Sequence, residues 1–194
     1  MKFKFFLLIL ISNLLLVSIH TSNSQESILQ MIENNWNQIQ TMSGSFSQIN
    51  ADDTISYGRF YFSKPHESKF IYENNNETII TTKSLIVAVD DEGYKIESYP
   101  IYKSPIKNIL ESNLIFESID MNIDIKVNNN NYLLLMKNIE NNTKAIFSFD
   151  KKSIDLKKWE IIDEFNQSTV LEFTKIKKNI SISPETYKIR YKNN

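Results

Sequence analysis

The chain has 194 residues, enough to close one sizeable core, and nothing in its length demands a second domain. It is 41% hydrophobic and 23% charged, which is a globular rather than a disordered composition, and its formal charge of −1 supplies no basic surface of the kind that nucleic acid requires. Cysteine is absent, so neither a disulfide framework nor a thiol-borne lipid anchor is available, and stability must come from packing alone.

At the N-terminus, Lys2 and Lys4 precede an apolar run from Phe5 to Val17, and small residues follow at Ser22 to Ser24. This pattern predicts a secretory signal over residues 1–24, cleaved near Gln25, and a single mature domain over 25–194. An apolar run of about 13 residues is short for a membrane span, which needs roughly 20. Removing Lys2 and Lys4 leaves 20 basic residues against 23 acidic ones, a charge of −3.

From Ser27 to Gln40, Ile28, Leu29, Ile32, Trp36 and Ile39 recur at three- and four-residue steps and predict an amphipathic helix, with Ser24 as its cap. Such a face seals a sheet or covers a ligand. After Thr41 the period changes to two. Phe60 and Phe62 share one face with Lys64, while Tyr57, Arg59 and Tyr61 take the other; Phe70 and Tyr72 separate from Lys69 and Ile71 in the same way. Leu85 to Val89 is apolar on both faces, which predicts a central strand. Met121, Ile123, Ile125 and Val127 alternate inward, and further strands are expected in Asn131–Met136, Ala145–Phe149, Trp159–Asp163, Thr169–Thr174 and Ile180–Ile182. Turn residues punctuate the series, among them Pro65 to Ser68, Asn74 to Asn76 and Asp90 to Gly93. Many short strands at hairpin spacing predict one large antiparallel sheet curled into part of a barrel. Between them, Ser104, Pro105, Ile106, Ile109 and Leu110 carry the signature of a second, short helix, placed to lid the open end of the curl.

Chemistry is harder to find. His66 is the one histidine beyond the signal, which with no cysteine argues against a zinc site or a Cys/His nucleophile. The acidic groups at Asp52–Asp53 and Asp90–Glu92 lack calcium-loop spacing and read as solvated turns. No carboxylate stands in a recognisable catalytic context, so no enzyme activity, metal or cofactor is expected. Twelve Phe, nine Tyr and two Trp in a chain with three Gly do supply apolar surface suited to a cavity.

Five stretches in order, Thr41–Gln48, Tyr57–Glu73, Glu77–Asp91, Tyr99–Ser112 and Leu156–Ile189, resemble the LolA family of periplasmic carriers of outer-membrane lipoproteins. The correspondence covers nearly all of the mature chain. The resemblance implies a mainly β fold, an incomplete, half-open antiparallel barrel whose concave face is lidded by the N-terminal helix and the short inserted helix. It implies an acyl-chain cavity formed by Phe46, Phe60, Phe62, Phe70, Tyr72, Val87 and Val89, and a lid of Ile28, Ile32, Trp36, Ile106, Ile109 and Leu110. Lys64, before Pro65, stands where the family carries an arginine that bonds to the lid; it keeps the charge without the planar fork. Val87 and Val89 replace aromatic residues of the family, a substitution that resembles its alphaproteobacterial branch.

The implied function is to bind the acyl chains of lipoproteins and shuttle them from inner to outer membrane as a periplasmic monomer. Its implied partners are acylated lipoproteins, an inner-membrane ABC-type lipoprotein-releasing transporter and an outer-membrane acceptor lipoprotein. A module of the same fold that senses lipoproteins or carries another lipid is the alternative. Each cavity residue is, taken singly, equally well read as packed core.

Overall fold

The computed structural model describes residues 25–73, 77–104, 106–119, 121–137 and 142–192. The signal segment, Ser24, Asn74 to Asn76 and Pro105 lie outside the described residues. An N-terminal helix, α1 (25–37), leads into eleven strands: β1 (Thr41–Ile49), β2 (Ile55–Ser63), β3 (Glu67–Tyr72), β4 (Thr78–Thr81), β5 (Leu85–Val89), β6 (Lys95–Pro100), β7 (Asn122–Val127), β8 (Asn131–Lys137), β9 (Lys144–Asp150), β10 (Leu156–Ile162) and β11 (Ser168–Lys178). A one-turn helix, α2 (Ile106–Ile109), interrupts the series between β6 and β7. The first helix ends earlier than its apolar periodicity predicts because Ile39 N–H folds back onto the Trp36 carbonyl, at 3.1 Å, and turns the chain into β1.

All eleven strands form one antiparallel sheet in the order β6-β5-β4-β3-β2-β1-β11-β10-β9-β8-β7. Two meanders therefore meet at the β1–β11 pair, and β6 and β7 are the edge strands of an unclosed barrel, with the start of β6 held by Arg190, whose carbonyl accepts from Lys95 N–H at 2.9 Å. The curl is deep. In a flat sheet β3 and β10 would lie about 19 Å apart, four strand spacings, yet the rings of Phe70 and Trp159 on those strands approach to 6.1 Å between centroids. A bulge in β11, where Lys175 (φ 52°) and Ile176 together face Gly44 of β1, adds local twist where the two meanders join.

The Gly-Ser-Phe of β1 and the Gly-Arg-Phe of β2 have a shared geometric meaning. In register, Phe46 lies opposite Gly58 and Phe60 opposite Gly44, so each ring covers the bare backbone of the facing strand. A Cβ on Gly58 would sit 2.7 Å from the Phe46 ring and 2.1 Å from the Ile71 carbonyl, and one on Gly44 would sit 2.8 Å from the Phe60 ring. The glycines thus make room for two phenylalanines to lie flat against the sheet. Phe46 and Phe60 then pack with Phe62, Phe70, Phe173 and Trp159 in the main core, on the concave face.

Several expectations are corrected. β5 is not central but second from an edge; it is apolar on both sides because the C-terminal segment covers its outer face. Residues 180–182 form no strand. They run along the convex surface, where Ile182 and Tyr187 pack with Ile80, Val87 and Val89, and Tyr187 and Ser63 share a hydroxyl hydrogen bond of 2.8 Å. Edge strand β6 carries no buried apolar face that would mark it in the sequence. On β7, Ile123 and Ile125 pack against the core as expected, but Val127, at the strand's end, is exposed.

Candidate functional site

The chain must pass from edge β6 to edge β7, and the described residues 101–104 and 106–119 lie along this passage across the concave face of the curled sheet. They carry α2 with them. Ile101, Ile106, Ile109, Leu110, Leu114 and Phe116 are all buried, packed with Ile32 and Trp36 of α1 against the sheet. The inserted segment and α1 together close the concavity.

At the margin of this cover is a cavity of about 170 Å³ that is partly open to solvent. Its floor comes from the sheet, with Phe70 and Tyr72 of β3, Ile79 and Thr81 of β4, Ile86 of β5, Trp159 and Ile161 of β10, Leu171 of β11 and Gln48 of β1; Ser104 and Ile106 form its roof. No lining side chain is charged. Binding pockets for drug-sized ligands commonly measure about 300–1,000 Å³, so an occupant of acyl-chain size has to displace the roof. A larger concavity of about 320 Å³ is enclosed by residues 108–119 themselves, with Asn108, Glu111, Ser112 and Asn113 in its wall. Its polar lining suits an acyl chain poorly.

The structure places the sequence-predicted residues in three groups. Phe70, Tyr72 and Ile106 line the cavity. Phe46, Phe60 and Phe62 belong to the packed core beside it, with Ile32, Trp36, Ile109 and Leu110 above them and Ile28 packed at the margin. Val87 and Val89 are a correction: they point to the convex face and pack against Tyr187, while their neighbour Ile86 faces the cavity. The reason is the period of two. Aligning β5 by its valines selects the wrong side of the strand. The wall formed by Gln48, Ile79, Ile86, Trp159, Ile161 and Leu171 was not predicted, although the alternation of Trp159 and Ile161 is a legible signal for one shared face.

Polar groups in the wall are mostly satisfied. The Tyr72 hydroxyl donates to Gln48 Oε1 at 2.7 Å, and burial, aided by Glu77 and opposed by that hydrogen bond, pushes Tyr72 up to about 12. Thr81 and Ser68 share a hydroxyl hydrogen bond of 2.8 Å, and Thr81 Oγ1 also donates to the His66 carbonyl. The exception is Trp159. Its Nε1 is buried and has no hydrogen-bond partner among the described residues.

The lid is held by a chain of side-chain to backbone bonds. Lys64 Nζ donates to the Trp36 carbonyl at 2.7 Å and lies 4.9 Å from the Trp36 ring centroid. Trp36 Nε1 in turn donates to the Ile109 carbonyl at 2.9 Å. Asn37 bonds both ways with Leu114, and Phe116 N–H donates to Glu33 Oε1. His66 N–H donates to the Leu110 carbonyl at 2.7 Å, tying the β2–β3 turn to the end of α2. Lys64 thus reaches α1 directly and α2 through Trp36.

Burial pushes Lys64 down to about 8 from its ordinary 10.5. Its folded value lies below its unfolded one, so the charge opposes the closed form below about pH 8, and that penalty fades as pH rises from 8 towards 10.5. The Trp36 carbonyl and ring favour the ammonium and work the other way. Because the side chain keeps some solvent, a severalfold change in the closed-to-open ratio is expected. Raising the pH from 7 to 9 should slow uptake of an environment-sensitive apolar dye, and Lys64→Met should flatten the response. Uptake independent of pH in the unaltered protein would mean that the Trp36 contacts cancel the desolvation.

No helix among the described residues is long and apolar enough to cross a membrane, and they contain no cluster of metal-ligating side chains. No curated protein matches the chain. Among solved structures, an uncharacterized conserved protein from Thermus thermophilus aligns over 86% of this chain and 98% of its own, at 10% identity and a TM-score of 0.50. A LolA-superfamily protein from Nitrosomonas europaea aligns over 82% of this chain and 96% of its own, at 9% identity and a TM-score of 0.43. MucB, in complex with MucA(peri), aligns over 86% of this chain and 60% of its own, at 7% identity and a TM-score of 0.44. The family model for the outer membrane lipoprotein carrier protein LolA matches residues 37–190, from the end of α1 to the strap behind β5. A lidded, unclosed barrel and a match of that extent lead to one conclusion: this chain belongs to the LolA family.

Proposed function

We propose that the protein is an exported periplasmic carrier that takes the acyl chains of lipoproteins under its lid and moves them between the inner and outer membranes. The observation that carries this reading is the uncharged cavity roofed by Ile106, whose cover is tied down by a small set of hydrogen bonds. An acyl chain of about 16 carbons brings on the order of 12 kcal/mol of apolar transfer energy, which any aqueous crossing must cover. A lid that exchanges its own apolar contacts for those of the lipid supplies comparable area and still releases the cargo, because closure of the empty cavity competes with binding. The reading is that of a binding protein, not an enzyme. It implies an inner-membrane ABC-type transporter as donor, an outer-membrane lipoprotein as acceptor and a monomer as the transport form.

The test is purification of the exported protein without detergent, followed by lipid and lipoprotein mass spectrometry. Acylated lipoproteins should co-purify, and Ile86→Glu should remove them. Ile86 is half-buried on the cavity wall, so a glutamate there can turn its carboxylate towards solvent and should lower the melting temperature less than the same change at fully buried Phe60. Phospholipid alone in the extract would make this a carrier of another lipid, and an empty protein that takes up no acyl chain would overturn the reading.

A further inference from the structure

We propose that Trp159 is the specificity-determining polar contact of the cavity, donating its indole N–H to the carbonyl oxygen of an ester that joins an acyl chain to its headgroup. The inference rests on the carrier reading and deepens it. Trp159 is 4% exposed, its ring packs against Phe70, Phe147 and Phe173 at 6.1, 6.0 and 5.9 Å, and it forms part of the cavity wall. Its Nε1 is a donor only and has no partner among the described residues. Buried donors are rarely left unmatched, because the hydration lost on burial is not recovered.

The polar groups that share the wall bond elsewhere and none accepts from this N–H. Gln48 Oε1 accepts from Tyr72, Gln48 Nε2 donates to Asn50, and Thr81 is bonded to Ser68 and His66. The wall also defines which acceptor fits. A free fatty carboxylate would be buried with no cation among the lining residues to pair it, which is strongly unfavourable. An ester carbonyl is uncharged, accepts one or two hydrogen bonds and leaves its alkyl chain to the surrounding Ile79, Ile86, Ile161 and Leu171. The geometry therefore favours ester-linked acyl chains over both free fatty acids and purely hydrocarbon-like ligands.

The experiment compares a dipalmitoyl glycerolipid with its dialkyl-ether counterpart, which has the same chains and no carbonyl, on the unaltered protein and on Trp159→Phe. The unaltered protein should bind the ester about tenfold more tightly, the scale of one buried hydrogen bond. Trp159→Phe should lose that preference while keeping its affinity for the ether. As a second measurement, the indole N–H proton resonance of Trp159, distinguished from that of Trp36 by its loss in Trp159→Phe, should move downfield with the ester and not with the ether. Equal binding of the two lipids with no change in that resonance would overturn the assignment and leave the carrier reading intact. Failure of the unaltered protein to bind either lipid would overturn the assignment, while co-purification of acylated lipoproteins decides the carrier reading by itself.

Discussion

Phe60→Ala should lower the free energy of unfolding by about 3–5 kcal/mol, the range for removing a fully buried aromatic side chain and leaving a cavity behind. Phe60 is 0% exposed and its ring lies 5.0 Å from that of Phe173, 5.2 Å from Phe62 and 6.3 Å from Phe70. It also covers Gly44 on the neighbouring strand, so no side chain stands ready to fill the space it vacates. The loss should appear as a lower denaturant midpoint with an unchanged slope, and Phe60→Leu should restore most of the stability. A loss below about 1 kcal/mol would show that the concave face is adaptable throughout, with no division between a packed core and a cavity. That division matters for function. On the proposed reading the protein has to open without unfolding, and Phe60, Phe62 and Phe173 bridge β2 and β11 across β1 beside the cavity.

Much of this arrangement is legible in the residues. The alternation of Phe60 and Phe62 against Tyr57, Arg59 and Tyr61 reports the concave face of β2 correctly, because only one side of that strand is covered by the main core. The same rule misleads at β5. Ile86 and Val87 are both apolar and both covered, one by the lid and one by the strap around Tyr187, and composition alone does not say which cover encloses a void. β6 escapes detection for the opposite reason, since an exposed edge strand carries Lys95, Glu97 and Tyr99 with no face to bury. The cavity wall is the least legible part. Period two assigns Trp159 and Phe70 to faces of their own strands, but it contains no term for the curl that brings β10 to within ring contact of β3. The unmatched Trp159 N–H is likewise a property of three-dimensional closure. The packing of the covering elements is more legible: Ile32 and Trp36 at helical spacing, and Ile106, Ile109 and Leu110 after Ser104, all require a surface to cover, and here they pack in one core cluster.

Trp36→Ala should separate the lid from the barrel, with a loss of about 3–5 kcal/mol for the truncated ring. Trp36 links three parts: its carbonyl receives Lys64 of the β2–β3 turn, its ring faces the Lys64 ammonium, and its Nε1 holds the Ile109 carbonyl of α2. Unlike Phe60, it stands between elements rather than within the sheet, so its removal should be felt locally. Amides of α1 and of residues 106–110 should lose hydrogen-exchange protection, while those of β1, β2 and β11 keep most of theirs. Uptake of an apolar dye should accelerate, since the closed state no longer competes as strongly for the cavity. Trp36→Phe tests the bond apart from the bulk; it should retain most of the packing, lose the tie to Ile109 at about 1 kcal/mol and open the lid to a smaller degree. If protection instead disappears uniformly across helix and sheet, α1 and the barrel unfold as one unit, and release of cargo would require a motion other than lifting the lid. If protection is lost only over α1 and α2, the Lys64–Trp36–Ile109 connection is the latch, and lysine serves there without the planar fork of an arginine because a single carbonyl oxygen needs only one donor.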